Sequence, residues 1–131
     1  MKKGFKGQSY TINDAGNDLN PHKDYNLIRM DSKNGKGLGE DCLHYGGNSG
    51  YQAVNLAYLL GAKTILLLGF DMFGTHYFGE HKYGLNNDSP YKRFIESFCT
   101  INVKKHNIEV INCSRQSALE YFPRTTIDKV L

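Results

Sequence analysis

The sequence predicts an α/β domain with a mainly parallel sheet flanked by helices. Two apolar segments, residues 64–69 and 108–111, have the length and composition of buried strands. Helical patterns surround them at residues 49–60, 90–105 and 114–121. Because helices and strands alternate along the chain, the strands are expected to run parallel and to be joined by right-handed crossovers.

The first helix and the strand after it have the clearest boundaries. Asn48 or Ser49 suits the N-cap position, and Gly61 suits the residue that ends the helix. The run TILLLG at 64–69 shows no polar alternation, which is typical of a central parallel strand covered on both faces. Asp71 follows this strand, so a carboxylate is expected at its carboxyl end.

The flanking segments have weaker patterns. Residues 1–23 are polar and predict a flexible arm, which leaves 24–131 as a single domain. Residues 25–30 (YNLIRM) predict a strand, and residues 31–48 a long glycine-rich linker. Residues 124–131 predict a tail with a last strand or turn.

Composition indicates a small cytoplasmic protein. The 131 residues are 40% hydrophobic, and the net charge of +3 comes from scattered basic residues, so no nucleic-acid interface is expected. The three cysteines are widely spaced, which argues against a zinc knuckle or a disulfide framework and suits a reducing compartment. The N-terminus lacks the apolar run of a signal peptide, and no apolar run is long enough to span a membrane.

The segment GGNSG at 46–50 predicts an anion site at the start of the first helix. The first amides of a helix are unpaired and carry partial positive charge, so they can bind a phosphate or a carboxylate. Asn48 and Ser49 add polar side chains, and Gly50 permits close approach of a ligand. An ordinary N-cap after a flexible loop would produce the same pattern, and both interpretations are open.

The loop that follows Asp71 is rich in titratable and aromatic residues. It contains His76, Tyr77, Glu80 and His81 beyond the carboxyl end of a predicted strand, where α/β sheets bind ligands. An imidazole there could act as a general base. A metal site is disfavoured because the spacing is not the helical His-Glu-x-x-His pattern, and a solvent-exposed loop without function is the other alternative.

Three motifs together resemble a known group of proteins. The segments GGNSGYQAVNLAYLLGAKTILLLGFDM, HYFGEH and INCSRQSALEYFP are similar to Rossmann-like glycosyltransferase-like proteins of phages and prophages. That group is related to motility-associated glycosyltransferase-like proteins, to 6-hydroxymethylpterin diphosphokinases and to bacterial sialyltransferases that use CMP-sialic acid. The resemblance covers roughly residues 45–123 and implies the C-terminal half of a Rossmann-like domain, because no Gly-Asn-Gly-Pro-Ser turn precedes it.

The resemblance implies roles for individual residues. Ser49 and Gly50 would hold the nucleotide phosphate, and Tyr77 would contact it. His81 would act as the general base, with His76 competing for that role because Glu80 is inserted before His81. The diphosphokinase relatives would require a divalent metal, for which Asp71 is the one carboxylate at a strand end.

The favoured function is binding of a nucleotide-sugar or a nucleotide phosphate. Glycosyltransferase activity of the CMP-sialyltransferase type is possible in addition, and it would use a nucleotide-sugar as donor. The alternatives are a non-catalytic phage accessory module that binds a nucleotide or a host protein, and an assembly protein. A small parallel sheet leaves an apolar edge, so a homo-oligomer or a partner chain completing the sheet is expected.

Overall fold

The computed structural model of the protein describes residues 7–12, 26–74 and 90–131. The strands are β1 (Gln8–Ile12), β2 (Asn26–Met30), β3 (Ser32–Lys33), β4 (Leu43–His44), β5 (Thr64–Leu67) and β6 (Glu109–Asn112). The helices are α1 (Ser49–Leu59), α2 (Tyr91–Phe98) and α3 (Val103–His106), followed by a 3-10 turn at Ile127–Lys129. This mixture of helices and parallel strands confirms the α/β class.

The strands of the described segments pair in parallel as three two-stranded sheets. These pairs are β1–β2, β3–β4 and β5–β6, and the register of the last aligns Thr64 with Glu109 and Leu67 with Asn112. An isolated parallel bridge joins Asn112 to Arg124 on the other side of β6. The order β5, β6, Arg124 therefore places three parallel segments side by side, with β6 in the middle.

The core lies between α1, α2 and the β5–β6 pair. Its fully buried residues include Tyr51 and Val54 from α1, Leu67 from β5, and Phe98 at the end of α2. In β5, Ile65 and Leu67 are buried, whereas Leu66 is only partly buried. The expectation of a strand equally covered on both faces is therefore not met within the described segments.

Helix α1 begins and ends as its sequence predicts. The side chain of Asn48 caps the first turn. Gly61 has φ of +91°, and the amides of Gly61 and Ala62 bond to the carbonyls of Tyr58 and Ala57. Glycine adopts this left-handed conformation without a steric penalty, so it stops the helix directly before β5.

Two predicted helices are corrected by the structure. The helical pattern at 90–105 is divided into α2 and α3, because the Thr100 hydroxyl donates to the Ser97 carbonyl and closes the first helix. Residues 114–121 contain no helix but a series of bends. There the hydroxyls of Ser114 and Ser117 bond to the backbone of Phe70, in competition with helical hydrogen bonds.

The predictions for the flanking segments also change. Within the predicted flexible arm 1–23, Gln8–Ile12 forms β1 and pairs with β2, so that part of the arm is a strand. The strand predicted at 25–30 is confirmed as β2. The predicted linker 31–48 contains β3 and β4, and the predicted tail contains the bridge at Arg124 and the 3-10 turn.

The glycine-rich connection between β3 and β4 is held against α1 by a buried asparagine. The Asn55 side-chain oxygen accepts from the amides of Gly39 and His44, at 2.9 and 2.8 Å, and its nitrogen donates to the Gly39 carbonyl at 3.0 Å. The Tyr51 hydroxyl donates to the Gly37 carbonyl. Burial raises the pKa of this hydroxyl, so it stays protonated as a donor. A segment with the composition of a linker is thereby part of the folded core.

His106 predicts a loss of stability at mildly acidic pH. It is buried, its ring packs edge-to-face on Tyr58, and burial followed by the Lys105 charge lowers the pKa of its imidazole below 6.5, against a smaller opposing effect of Glu40. In the unfolded chain this imidazole binds a proton near pH ~6.5, whereas in the folded chain it does so only at lower pH. The free energy of unfolding therefore falls as the pH drops below ~6.5.

We therefore expect His106→Gln to show a smaller fall in melting temperature between about pH 7.5 and pH 5 than the unaltered chain. Circular dichroism melts across this range would measure the difference. Parallel pH profiles for the two proteins would mean that another group controls acid stability.

Among the helices of the described ranges, none combines the length and the apolar character needed to cross a membrane.

Candidate functional site

The start of α1 is an N-cap built by Asn48. Its side-chain oxygen accepts from the Tyr51 amide at 2.8 Å, and its nitrogen donates to the Gly46 carbonyl at 3.3 Å. The interpretation of Asn48 as an N-cap is confirmed, so its side chain is engaged within the chain. Ser49 is exposed at the first position of the helix.

Gly50 lets the start of α1 approach the end of β5. A Cβ atom on Gly50 would lie 2.9 Å from the Phe70 ring and 3.2 Å from the Asn48 side-chain oxygen. Those distances leave little room for a side chain. Since Phe70 directly precedes Asp71, the structure brings the start of α1 to the carboxyl end of β5, the edge at which Asp71 lies.

The loop after β5 is tied to the loop after β6 by three hydrogen bonds. The Phe70 amide donates to the Ser114 hydroxyl at 2.8 Å, and the Ser117 hydroxyl donates to the Phe70 carbonyl. The Ala118 amide donates to the Asp71 carbonyl at 2.8 Å. These bonds fix the backbone of Asp71, whereas the residue as a whole is exposed to solvent.

A second buried asparagine organises the turn after β6. The Asn112 side-chain nitrogen donates to the Ser117 hydroxyl at 2.9 Å and to the Leu119 carbonyl at 3.1 Å, and its oxygen accepts from the Ser114 amide at 3.0 Å. A fully buried amide with these partners gives the turn a single conformation. This turn supplies the hydroxyls that fix the end of β5.

An open groove of about 1030 Å³ runs across the carboxyl ends of the three adjacent parallel segments. Its lining comes from residues 113–116 after β6, from residues 124–129 at and beyond the Arg124 bridge, and from four residues after β5, which are Leu68, Gly69, Asp71 and Phe73. The charged side chains that line it are Asp71, Arg115, Arg124, Asp128 and Lys129.

The three cations of the groove have different surroundings. The Arg124 guanidinium donates to the carbonyls of Ser114 and Arg115, at 3.3 and 3.1 Å, which fixes it against the turn after β6. The ion pairs formed among described residues include neither Arg115 nor Lys129. These two side chains are the cations best placed to meet an anionic ligand.

The predicted site residues are thus only partly placed. Asp71 lines the groove, whereas Asn48, Ser49 and Gly50 do not, although Gly50 approaches the same edge at Phe70. His76, Tyr77 and His81 lie outside the described residues. In the ranges that are described, no group of three or more His, Cys, Asp or Glu residues is arranged to hold a metal ion.

The sequence patterns did not predict the side of the groove that is formed by residues after β6. Arg115, Arg124 and Lys129 come from segments that the sequence assigned to a helix and to a tail. One signal was present: three basic residues follow the apolar strand β6 within a short stretch of chain. The register that brings Arg124 beside Asn112 has no counterpart in local sequence pattern.

Comparisons with protein-family models, with curated proteins and with solved structures give no match to this chain.

Proposed function

We propose that this chain is a Rossmann-like protein that binds a nucleotide-sugar or a nucleotide phosphate. The observation that carries the proposal is the groove of about 1030 Å³ at the carboxyl ends of parallel strands. Ligands of α/β proteins bind at such edges, and ligand pockets of this kind measure roughly 300–1,000 Å³. An open groove of this size suits a nucleotide better than a single small ion.

The charge of the groove supports an anionic ligand that also carries hydroxyl groups. The lining has a net charge of +1, because it contains three cations (Arg115, Arg124 and Lys129) and two carboxylates (Asp71 and Asp128). Cationic side chains form charge-assisted hydrogen bonds with phosphate oxygens, and carboxylates accept from sugar hydroxyls. The start of α1, with its partial positive charge, approaches the same edge at Phe70 but does not line the groove.

Transfer chemistry is a further part of the proposal. A glycosyltransferase of the CMP-sialyltransferase type would use His81, or His76, to remove the proton from an acceptor hydroxyl. Tyr77 and the first amides of α1 would stabilise the charge on the departing nucleotide phosphate. In a diphosphokinase-like variant, Asp71 would hold a divalent metal. These roles rest on the resemblance of the sequence motifs.

The alternative is a phage accessory module in a bacterial cytoplasm that binds a nucleotide or a host protein without turnover. In the described part of the chain β5 pairs with β6 alone. A second copy or a partner chain could therefore complete the sheet at β5.

Ser49→Asp tests whether the nucleotide phosphate lies at the start of α1. A phosphate bound there predicts that the variant loses stabilisation by a nucleotide while its fold stays intact. An Asp at the first turn of α1 interacts favourably with the helix dipole, by about 0.3–1 kcal/mol, but it repels a phosphate. A nucleotide that binds should stabilise the unaltered chain by ~2.7 kcal/mol at ~100-fold excess over its dissociation constant. Thermal-shift assays with CMP, CDP, UDP, GDP, ATP and their sugar conjugates would detect this stabilisation.

Ser49→Ala is the matched control, since it retains the amides and adds no charge. A nucleotide shift that survives in Ser49→Asp would remove the start of α1 from the site. A nucleotide shift without turnover of the sugar conjugate and an acceptor would favour the accessory module over the transferase.

A further inference from the structure

An exposed aromatic ring borders the groove on the β5 side. Phe73 lies in the groove lining and is 46% exposed, and Leu68 of the same lining is 59% exposed. Large apolar side chains are normally withdrawn from water, so two of them on the wall of a polar groove offer an apolar surface to a ligand.

The backbone holds Phe73 in this outward position. Met72 has φ of +58°, in the left-handed region that residues other than glycine rarely adopt. Its side chain packs against the hydrophobic core. Because Met72 is anchored inward, the chain turns and presents Phe73 to the groove. Strained backbone that is held by its surroundings is characteristic of ligand-binding positions.

The opposite part of the groove has more cations than carboxylates, since Asp128 accompanies Arg115, Arg124 and Lys129. Arg115 lies on the turn after β6, and Lys129 lies on the 3-10 turn beyond Arg124. Arg124 bonds to the Arg115 carbonyl and so fixes the backbone that carries the Arg115 side chain. Two cations on separate segments suit a ligand with negative charge at two points, such as a diphosphate.

We infer that the groove binds a nucleoside diphosphate group in a single orientation, with the base on Phe73 and the phosphates against Arg115 and Lys129. Asp71, which lies with Phe73 in the loop after β5, is then placed to accept from ribose hydroxyls. This inference rests on the proposed function and narrows it to a diphosphate-linked ligand, in place of the monophosphate CMP-sugar of the sialyltransferase type. The phosphates then lie against the segments after β6 and not at the start of α1. Two sources carry this group, a free nucleotide and a nucleotide-sugar, and the test below separates them.

The test compares the whole nucleotide with its phosphate part alone. Titration calorimetry would measure the binding of UDP, CDP, ADP, UDP-glucose, CMP and inorganic pyrophosphate to the full chain. Phe73→Ala should weaken the nucleoside diphosphates about tenfold and leave pyrophosphate unchanged, because base–aromatic stacking is lost. Arg115→Gln should weaken both classes about tenfold or more.

Two controls accompany these variants. Phe73→Tyr keeps an aromatic face and should keep the affinity. Lys104→Gln removes an exposed lysine of α3, which precedes β6 and so lies at the other end of that strand, and it should change nothing. UDP and UDP-glucose as separate ligands distinguish a free nucleotide from a sugar conjugate.

Each outcome decides the inference. If Phe73→Ala binds nucleoside diphosphates as tightly as the unaltered chain does, the base does not lie on Phe73. That result would overturn the inferred orientation but not the binding of nucleotides. Equal weakening of pyrophosphate by Phe73→Ala would mean that Phe73 is structural, which also overturns it. CMP binding as tightly as CDP would remove the diphosphate requirement. Pyrophosphate binding that depends on Arg115, without binding of any nucleotide, would end both the inference and the proposed function and leave an anion site.

Discussion

Phe98→Ala is expected to lower the free energy of unfolding by about 4 kcal/mol, because it removes a fully buried aromatic ring from the core. The Phe98 ring is fully buried and packs edge-to-face with Tyr51, Phe70 and Phe122, at centroid separations of 5.4, 5.7 and 6.3 Å. Removing the ring leaves a cavity where α1, the end of β5 and the C-terminal segment meet.

Urea denaturation followed by circular dichroism would measure this loss. Phe98→Leu is the matched control, since it keeps an apolar side chain of similar size and should cost about 1.5 kcal/mol or less. Since Phe70 lies beside Gly50 and Asp71, the alanine variant should also loosen the carboxyl edge of β5. A loss below about 1 kcal/mol for Phe98→Ala would show that the three ring contacts do not hold the core together.

Asn55→Ala is expected to lower the free energy of unfolding by about 3 kcal/mol. The substitution removes three hydrogen bonds and leaves the amides of Gly39 and His44 and the carbonyl of Gly39 without their partner. Each lost bond costs about 1 kcal/mol, and a buried group left unpaired costs more. The glycine-rich segment between β3 and β4 should detach from α1.

Asn48→Ala is the control for this prediction, because it removes the cap bond from the Tyr51 amide and the longer bond to the Gly46 carbonyl, and it should cost about 1 kcal/mol. Hydrogen exchange would separate the two variants. The amides of Gly39 and His44 should exchange much faster in Asn55→Ala and nearly unchanged in Asn48→Ala. Equal protection of those amides in all three proteins would contradict the role given to Asn55.

The elements that the sequence predicts correctly are those with local signals. Helix α1 has an N-cap at Asn48 and a stop at Gly61, and β5 and β6 are short apolar runs bounded by polar residues. Their boundaries are set by residues within or next to each element. Cap, stop and apolar pattern agree at these positions, so a single sequence is enough to locate them.

The errors occur where a side chain replaces the backbone as hydrogen-bond partner. Asn55 sits in the middle of a helix, where an asparagine is usually a solvated polar residue, and Asn112 ends a strand. Both instead fix distant backbone groups. The pattern at 114–121 resembles a helix with a serine cap, but Ser114 and Ser117 bond to Phe70 across the sheet edge. Such partners depend on tertiary contacts that no local window contains.

The candidate site divides in the same way. Asp71 and the start of α1 could be predicted, because strand ends and helix caps have recognisable sequence patterns. Arg115, Arg124 and Lys129 could not, since their position depends on the bridge between Asn112 and Arg124. The histidines that the motif resemblance favours lie outside the described residues, so their role stays a prediction.

The hydrogen bonds between the Asn55 side chain and the glycine-rich segment also have a consequence for the order of folding. Its contacts join residues only 11 and 16 positions apart, whereas the bond between Phe70 and Ser114 joins residues 44 positions apart. Closing a short loop costs less chain entropy than closing a long one, and local contacts form sooner. The glycine-rich segment and α1 can therefore assemble as an early unit, before the edge that carries the groove exists. Between these two sets of contacts, the bond that joins the loops after β5 and β6 is the later one to form, and a ligand that bridges the two loops would stabilise it.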